Sequence, residues 1–312
     1  MKLAFVFPGQ GSQSVGMMKG FDGHAAVRST FDEASRVLDQ DLWTLVAEGP
    51  QDGLDLTVNT QPVMLTAAVA VWRAWQAIGG RSPVVVAGHS LGEYTALVAA
   101  GSLEFADALP LVRFRAQAMQ DAVPPGVGAM AAILGADDAK VAAACASAAE
   151  GQIVEPVNFN APGQIVIAGE RSAVERAMQA AKVAGARRAV MLPVSAPFHS
   201  SLLKPAADKL ATRLAEVPFK APAIPVIHNA DVSVHSTATA IRAALAKQAA
   251  SPVRWTETIT AFSAQGVTHV AECGPGRVLA NLVSRIDANL EGVSLASGAL
   301  LDEFLATCRD AT

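Results

Sequence analysis

The chain has 312 residues, 51% of them hydrophobic and 17% charged, which suits a folded protein with a sizeable core and excludes a disordered one. Its net charge of −4 argues against nucleic acid or an anionic membrane as the main partner. The apolar run after Lys2 stops at Pro8, no stretch has membrane-spanning length, and Cys145, Cys273 and Cys308 lack metal spacing, so a cytoplasmic protein with reduced thiols is expected.

Leu3–Phe7 reads as a buried strand, followed by the glycine loop Pro8-Gly9-Gln10-Gly11-Ser12-Gln13. A helix is expected over Thr60–Ile78, with Pro62 in its first turn and Gly79-Gly80 as its stop. Pro83–Gly88 is a β-branched strand, Gly92–Ala100 a helix, and Glu104–Ala122 an amphipathic helix. Such alternation favours an α/β domain with a mainly parallel sheet. The texture changes at Val123-Pro124-Pro125-Gly126. Beyond it come a strand (Ala129–Leu134), a helix (Asp137–Ala149) and two strands (Val154–Asn158 and Gln164–Ala168) joined by a turn with Asn160, Pro162 and Gly163. A helix (Ser172–Ala184) and a strand (Arg188–Val194) complete a βαββαβ order, that of a ferredoxin-like unit. The expected organisation is therefore a large α/β domain, 1–124 and 196–312, with a small ferredoxin-like domain, 125–195, inserted.

Gly88-His89-Ser90-Leu91-Gly92 fits the G-x-S-x-G nucleophile elbow, with the required strand before it and helix after it. The glycines allow close backbone approach, and the serine hydroxyl is left exposed at the sheet edge. The N–H of Leu91 and the following helix can face a developing oxyanion. The serine needs a base. His24 lies in a polar segment, the His89 side chain is expected to point away from Ser90, and His269 sits in the alternating run 267–270. His199, His228 and His235 stay open on these grounds, and an acidic third member, for which Asp231 is one choice, is unassigned.

Arg115 shares the apolar stripe of its helix with Ala108, Leu111, Val112, Ala118, Met119 and Ala122. A buried arginine needs an anion. That anion is either an internal Asp or Glu or the carboxylate of a substrate, which the guanidinium fork can hold by two hydrogen bonds.

These residues together resemble the malonyl-CoA:acyl carrier protein transacylases of bacterial fatty acid synthesis. The motifs are Phe7 to Gln13, Gln61-Pro62, Gly88 to Glu93, Arg115 with Gln117 and Met119, Pro197-Phe198-His199, and Gly274-Pro275-Gly276. The resemblance implies a hydrolase-like α/β domain with an inserted ferredoxin-like domain. It implies Ser90 as nucleophile, His199 as its base, and the backbone N–H groups of Gln10 and Leu91 as the oxyanion hole. It implies Arg115 as the partner of the malonyl carboxylate, with Gln61, Met119, Phe198 and Gln248 also at the substrate site. The backbone carbonyl of Asn229 would orient the histidine, making Asp231 unnecessary. Leu91 and Phe198 match the malonyl-selective pattern of related polyketide acyltransferases.

Implied partners are malonyl-CoA and an acidic acyl carrier protein. The latter would meet a local basic patch among Lys182, Arg187, Arg188, Lys204 and Lys209. No metal or redox cofactor is implied, and a monomer is expected. Rival readings are a serine esterase or thioesterase on the same fold, the same chemistry in a malonate decarboxylase or polyketide system, and a non-catalytic carrier-protein or phosphate-binding module. For the last, Gly9-Gln10-Gly11 begins a G-x-G-x-x-G pattern, but Ser14 stands where the last glycine belongs.

Overall fold

A strand with no polar residue is suited to burial on both faces. In the computed structural model, which describes residues 1–310, Leu3–Phe7 is that strand, β1, buried along its whole length. The further strands are β2 (Val85–Gly88), β3 (Gly128–Leu134), β4 (Val154–Ala161), β5 (Gln164–Glu170), β6 (Arg188–Met191), β7 (Val226–Ile227), β8 (His269–Glu272) and β9 (Glu291–Ser294). A parallel sheet runs in the order β7-β2-β1-β8-β9. Leu3, Phe5 and Phe7 face a core built with the helices Thr57–Ala77 and Phe105–Asp121. Ala4 and Val6 face a second core with the helices Trp255–Ala264 and Val278–Ile286. The large unit thus has helices on both faces of a parallel sheet, as expected.

The helix Thr57–Ala77 is buried around most of its circumference. It begins three residues before the expected start, so Pro62 lies inside it and not in its first turn. The added turn contains Thr57, Val58 and Asn59, poor helix formers that gave no signal. Tertiary contacts hold it: the Thr60 hydroxyl donates to the carbonyl of Leu54 at 2.6 Å. The expected stop is present, with Gly79 at φ +80° and the Gly80 N–H bonded to the Trp75 carbonyl at 2.9 Å. Strand β2 starts at Val85 rather than Pro83, whose ring nitrogen has no proton to give a ladder.

The second sheet is antiparallel, in the order β4-β5-β3-β6. With the helices Asp138–Ala148 and Arg171–Val183 it completes the βαββαβ unit. Those helices cover one face through Ala131, Ile133, Ile165 and Ile167. The other face, with Met130, Val157, Val166 and Ala168, packs against Leu192, Val194 and Phe198. The last three explain why β6 ends at Met191, short of the expected Val194. Beyond Met191 the chain leaves the sheet edge to cover its face. A parallel bridge between Asn158 and Val253 ties β4 to the large unit. No described helix is long and apolar enough to cross a membrane.

Candidate active site

The elbow follows from glycine spacing. A Cβ on Gly88 would fall 1.8 Å from the backbone of Gly92, and one on Gly92 would fall 2.0 Å from the carbonyl oxygen of Phe7. Only glycine lets β1, β2 and the helix Gly92–Ala99 approach so closely. Ser90, on the turn between them, is held at φ +52°, a left-handed conformation uncommon for serine. Asn229 holds this turn. Its amide nitrogen donates to the Gly88 carbonyl at 2.7 Å, and its Oδ1 accepts from the Ser90 N–H at 2.7 Å. Register brings Asn229 there, because β7 pairs with β2 through Val226–Val86 and Ile227–Ala87.

His199 lies on the segment that leaves β6, at φ +66°. Its Nε2 is 2.6 Å from Ser90 Oγ, and its Nδ1 is 3.0 Å from the backbone oxygen of Gln248. A carbonyl can only accept, so Nδ1 carries the proton and Nε2 presents a lone pair to the serine. The expected carbonyl was that of Asn229, and here the structure corrects the sequence reading. The Asn229 carbonyl accepts from the Arg254 N–H at 3.3 Å, and Gln248 holds the histidine. Burial, and secondarily the Arg115 charge, push the His199 pKa down to about 3.

The other histidines are engaged elsewhere. His235 pairs with Asp231 at 2.9 Å, His269 with Glu291 at 3.2 Å, and His89 turns away from Ser90 to meet Asn160 Oδ1 at 2.8 Å. Asp231 is therefore no third member of a triad.

Arg115 is buried, and its hydrogen-bond partners are neutral. Nη1 donates to Gln61 Oε1 at 2.8 Å, and Nη2 donates to Gln248 Oε1 at 3.0 Å and to Ser90 Oγ at 3.1 Å. Its guanidinium lies over the Tyr94 ring, 5.4 Å from the centroid. Of the two anions allowed by the sequence, the internal carboxylate is not in contact among the described residues. Burial lowers the Arg115 pKa.

A cavity of about 120 Å³ opens at this cluster, lined by Gln10, Gln61, Ser90, Arg115, Phe198 and His199 among others. Leu91 lines it too, and the N–H groups of Gln10 and Leu91 donate to no protein acceptor among the described residues. Met119 does not line it. One turn beyond Arg115, it is buried in the apolar core. A larger depression of about 410 Å³ beside β9 is lined by Arg277, Glu291 and Phe304. Its hydroxyls are engaged by backbone carbonyls, Ser294 Oγ donating to Gly276 at 2.7 Å and Thr307 Oγ1 to Glu303 at 3.1 Å, whereas the smaller cavity sets a serine hydroxyl against a histidine nitrogen.

The acyl transferase domain family matches residues 4–295. The chain belongs to that family. It is 55% identical over 295 residues to the malonyl CoA-acyl carrier protein transacylase of Escherichia coli (strain K12), covering 94% of this chain and 96% of the relative. The same-named protein of Salmonella typhimurium is 54% identical over 305 residues, 97% of this chain and 99% of the relative. A solved acyl-carrier-protein S-malonyltransferase from Burkholderia pseudomallei superimposes with a TM-score of 0.97 at 63% identity, covering 98% of this chain and all of that one. A malonyl-transacylase solved in complex with a type II polyketide acyl-carrier protein matches with a TM-score of 0.97 at 51% identity, over 98% of this chain and all of that one. The resemblance to the transacylases is borne out, as is the hydrolase-like architecture with its inserted unit.

Sequence reasoning on this acyl transferase domain missed three kinds of residue. Met130, Asn158, Leu192 and Val194 bring the small sheet to the cavity wall. Their role depends on how the two sheets meet, which no local pattern encodes. Asn229 was found, but with its side-chain role unread. Glu93 carries a signal in the sequence: it is a carboxylate in the apolar run 92–99, as Arg115 is a cation on an apolar stripe. It is fully buried, 2.7 Å from His228 Nδ1. Burial opposes charge on His228, but the Glu93 carboxylate outweighs it and raises the His228 pKa. Lys182, Arg187, Arg188, Lys204 and Lys209 are all exposed.

Proposed function

We propose that this protein transfers the malonyl group from malonyl-CoA to the phosphopantetheine thiol of an acyl carrier protein, through an ester on Ser90. The observation that carries the reading is the meeting of an imidazole and a guanidinium at one serine oxygen. Ser90 Oγ lies 2.6 Å from His199 Nε2 and 3.1 Å from Arg115 Nη2. A hydrolase needs the first contact; a carboxylated acyl group gives the second a purpose.

In the first half-reaction Ser90 Oγ attacks the thioester carbonyl as its proton passes to His199 Nε2. The N–H groups of Gln10 and Leu91 hold the tetrahedral oxyanion. The C–S bond breaks, and the coenzyme A sulfur takes the proton from the imidazolium. In the second half, His199 takes the proton of the incoming pantetheine thiol, sulfur attacks the ester carbonyl, the C–O bond to Ser90 breaks, and Ser90 Oγ takes the proton back from the imidazolium. Arg115 holds the malonyl carboxylate throughout and keeps the acyl group in line. The Gln248 carbonyl stabilises the imidazolium formed in each half. Phe198 and the narrow cavity disfavour a methyl branch, by about 1–3 kcal/mol.

This scheme draws on no metal or redox cofactor, and coenzyme A enters as a substrate. We place the protein in the cytoplasm as a monomer serving fatty acid synthesis. The large unit is 1–124 with 196–312, and the inserted unit is 125–195.

The test is the intact mass of the protein after mixing with malonyl-CoA and no carrier protein. A gain of one malonyl group on the native chain, absent from Ser90→Ala, is expected. Release of free malonate with no covalent adduct would favour a thioesterase.

A further inference from the structure

Glu93 is fully buried and accepts three hydrogen bonds, yet it touches neither the cavity nor Ser90 Oγ. Its Oε1 meets His228 Nδ1 at 2.7 Å; its Oε2 accepts from the Asn229 N–H and from Gln248 Nε2, both at 2.9 Å. Gln248 is the branch point of the site. Its Nε2 also donates to the Ser90 carbonyl at 2.8 Å, its Oε1 accepts from Arg115, and its backbone oxygen accepts from His199.

We propose that Glu93 is the positioning residue of this site, fixing through Gln248 both the guanidinium of Arg115 and the imidazole of His199. An ionised carboxylate only accepts, so it must face the NH₂ end of the Gln248 amide. The amide oxygen is thereby turned to Arg115. A flipped amide would set donor against donor at the guanidinium and acceptor against acceptor at Glu93. The same Oε2 holds the N–H of Asn229, whose side chain supports the Ser90 turn. One buried carboxylate therefore orders the nucleophile, the base and the cation, none of which it contacts. A burial this complete is costly for a carboxylate, and the three hydrogen bonds it accepts, one of them from His228, offset that cost. The inference rests on the roles given above to Ser90, His199 and Arg115.

The test compares acyl loading of Ser90 from malonyl-CoA and from acetyl-CoA, per folded enzyme, in Glu93→Ala and Glu93→Gln. Only malonyl uses Arg115. Glu93→Ala leaves the NH₂ end of the amide with the Ser90 carbonyl as its one acceptor, and its kcat/KM for malonyl should fall by roughly tenfold to a hundredfold, with a smaller fall for acetyl. Glu93→Gln should restore most of both. Its amide oxygen can face Asn229 and Gln248 while its NH₂ donates to a neutral His228, whose Nε2 has no partner among the described residues. Should the alanine variant not fold, Glu93→Asp, which draws the carboxylate back by one methylene, should lose discrimination in the same direction. Equal losses for both donors, or lower melting temperature with unchanged kcat/KM, would overturn the inference. A wild-type protein that fails to load malonyl on Ser90 would instead remove the functional reading, and this inference with it.

Discussion

The Nδ1–H of His199 ends on the backbone oxygen of Gln248, 3.0 Å away, where a serine triad would place a carboxylate. A carbonyl fixes the tautomer as well as a carboxylate does, but adds only a partial negative charge beside the imidazolium. Burial and the neighbouring Arg115 then keep the ring neutral, with its pKa at about 3. An imidazole so held can accept the Ser90 proton without first losing one of its own.

The pH dependence of loading follows. In the free enzyme the folded His199 refuses a proton that an ordinary histidine takes near pH 6.5. The single-turnover rate of Ser90 acylation should therefore show no inflection near pH 6.5, and its acid limb should lie well below. Stopped-flow release of coenzyme A across pH checks this, and a histidine-like inflection would contradict it. The sign for stability is the reverse of an ion-paired histidine. As pH falls below about 6.5, the unfolded chain gains a proton that the folded one does not, so this group favours unfolding.

Arg115→Ala should lower kcat/KM for malonyl-CoA by roughly tenfold to a hundredfold, the worth of a hydrogen bond to a charged group. Acetyl-CoA should be affected far less, so the ratio of the two narrows. Arg115→Lys should not restore it, because one ammonium cannot reproduce the contacts of two guanidinium nitrogens. Parallel loading assays with the two donors measure the ratio.

Asn229→Ala removes both hydrogen bonds that its side chain makes to the Ser90 turn. The Gly88 carbonyl loses this partner at a buried site, at a cost of about 1–3 kcal/mol, and the Ser90 N–H loses its own at a partly buried one. Urea denaturation should register a loss of that order, together with slower loading. Asn229→Asp should not rescue it, since its second oxygen would face the Gly88 carbonyl.

Glu272, at the end of β8, is buried, and burial raises its pKa to about 7 against an ordinary 4.5. Its Oε2 accepts from the Ala280 N–H at 2.8 Å, while Oε1 has no partner among the described residues. A raised carboxylate stabilises the fold below its unfolded pKa, and that contribution is lost as pH rises through the folded value. Glu272→Gln keeps an acceptor for Ala280 without the charge. It should raise Tm over wild type at pH 8, with the difference shrinking towards pH 5. Thermal scans at the two pH values decide; a constant difference would exclude the titration.

Lys204 and Lys209 stand exposed on the helix Lys204–Glu216, soon after His199. Charge reversal at both should raise KM for an acidic carrier protein several-fold and leave loading from malonyl-CoA unchanged. If transfer to the carrier is unaffected, docking lies elsewhere, with Lys182, Arg187 and Arg188 next to test.

The parts of the fold legible in the sequence were those governed by neighbours along the chain. β1, the elbow and the βαββαβ order rest on local apolar runs and glycines. The missed turn at Thr57–Asn59 and the two-residue β7 have weak local preference and exist through tertiary contact. The site divided in the same way. Ser90 announced itself by its flanking glycines, and Arg115 by being a cation on an apolar stripe.

The sequence by itself determined which chemical groups are available: a serine on a sharp turn, a cation on an apolar stripe, three histidines open for one role, and a family pattern that selected His199. Only the tertiary structure decided which carbonyl holds that histidine, Gln248 in place of Asn229, and which side chain holds the elbow. The physical reason is one of range. Backbone conformation and amphipathic pattern are set within a few residues, whereas a hydrogen bond from residue 199 to residue 248 depends on how two sheets and the loops between them pack in space.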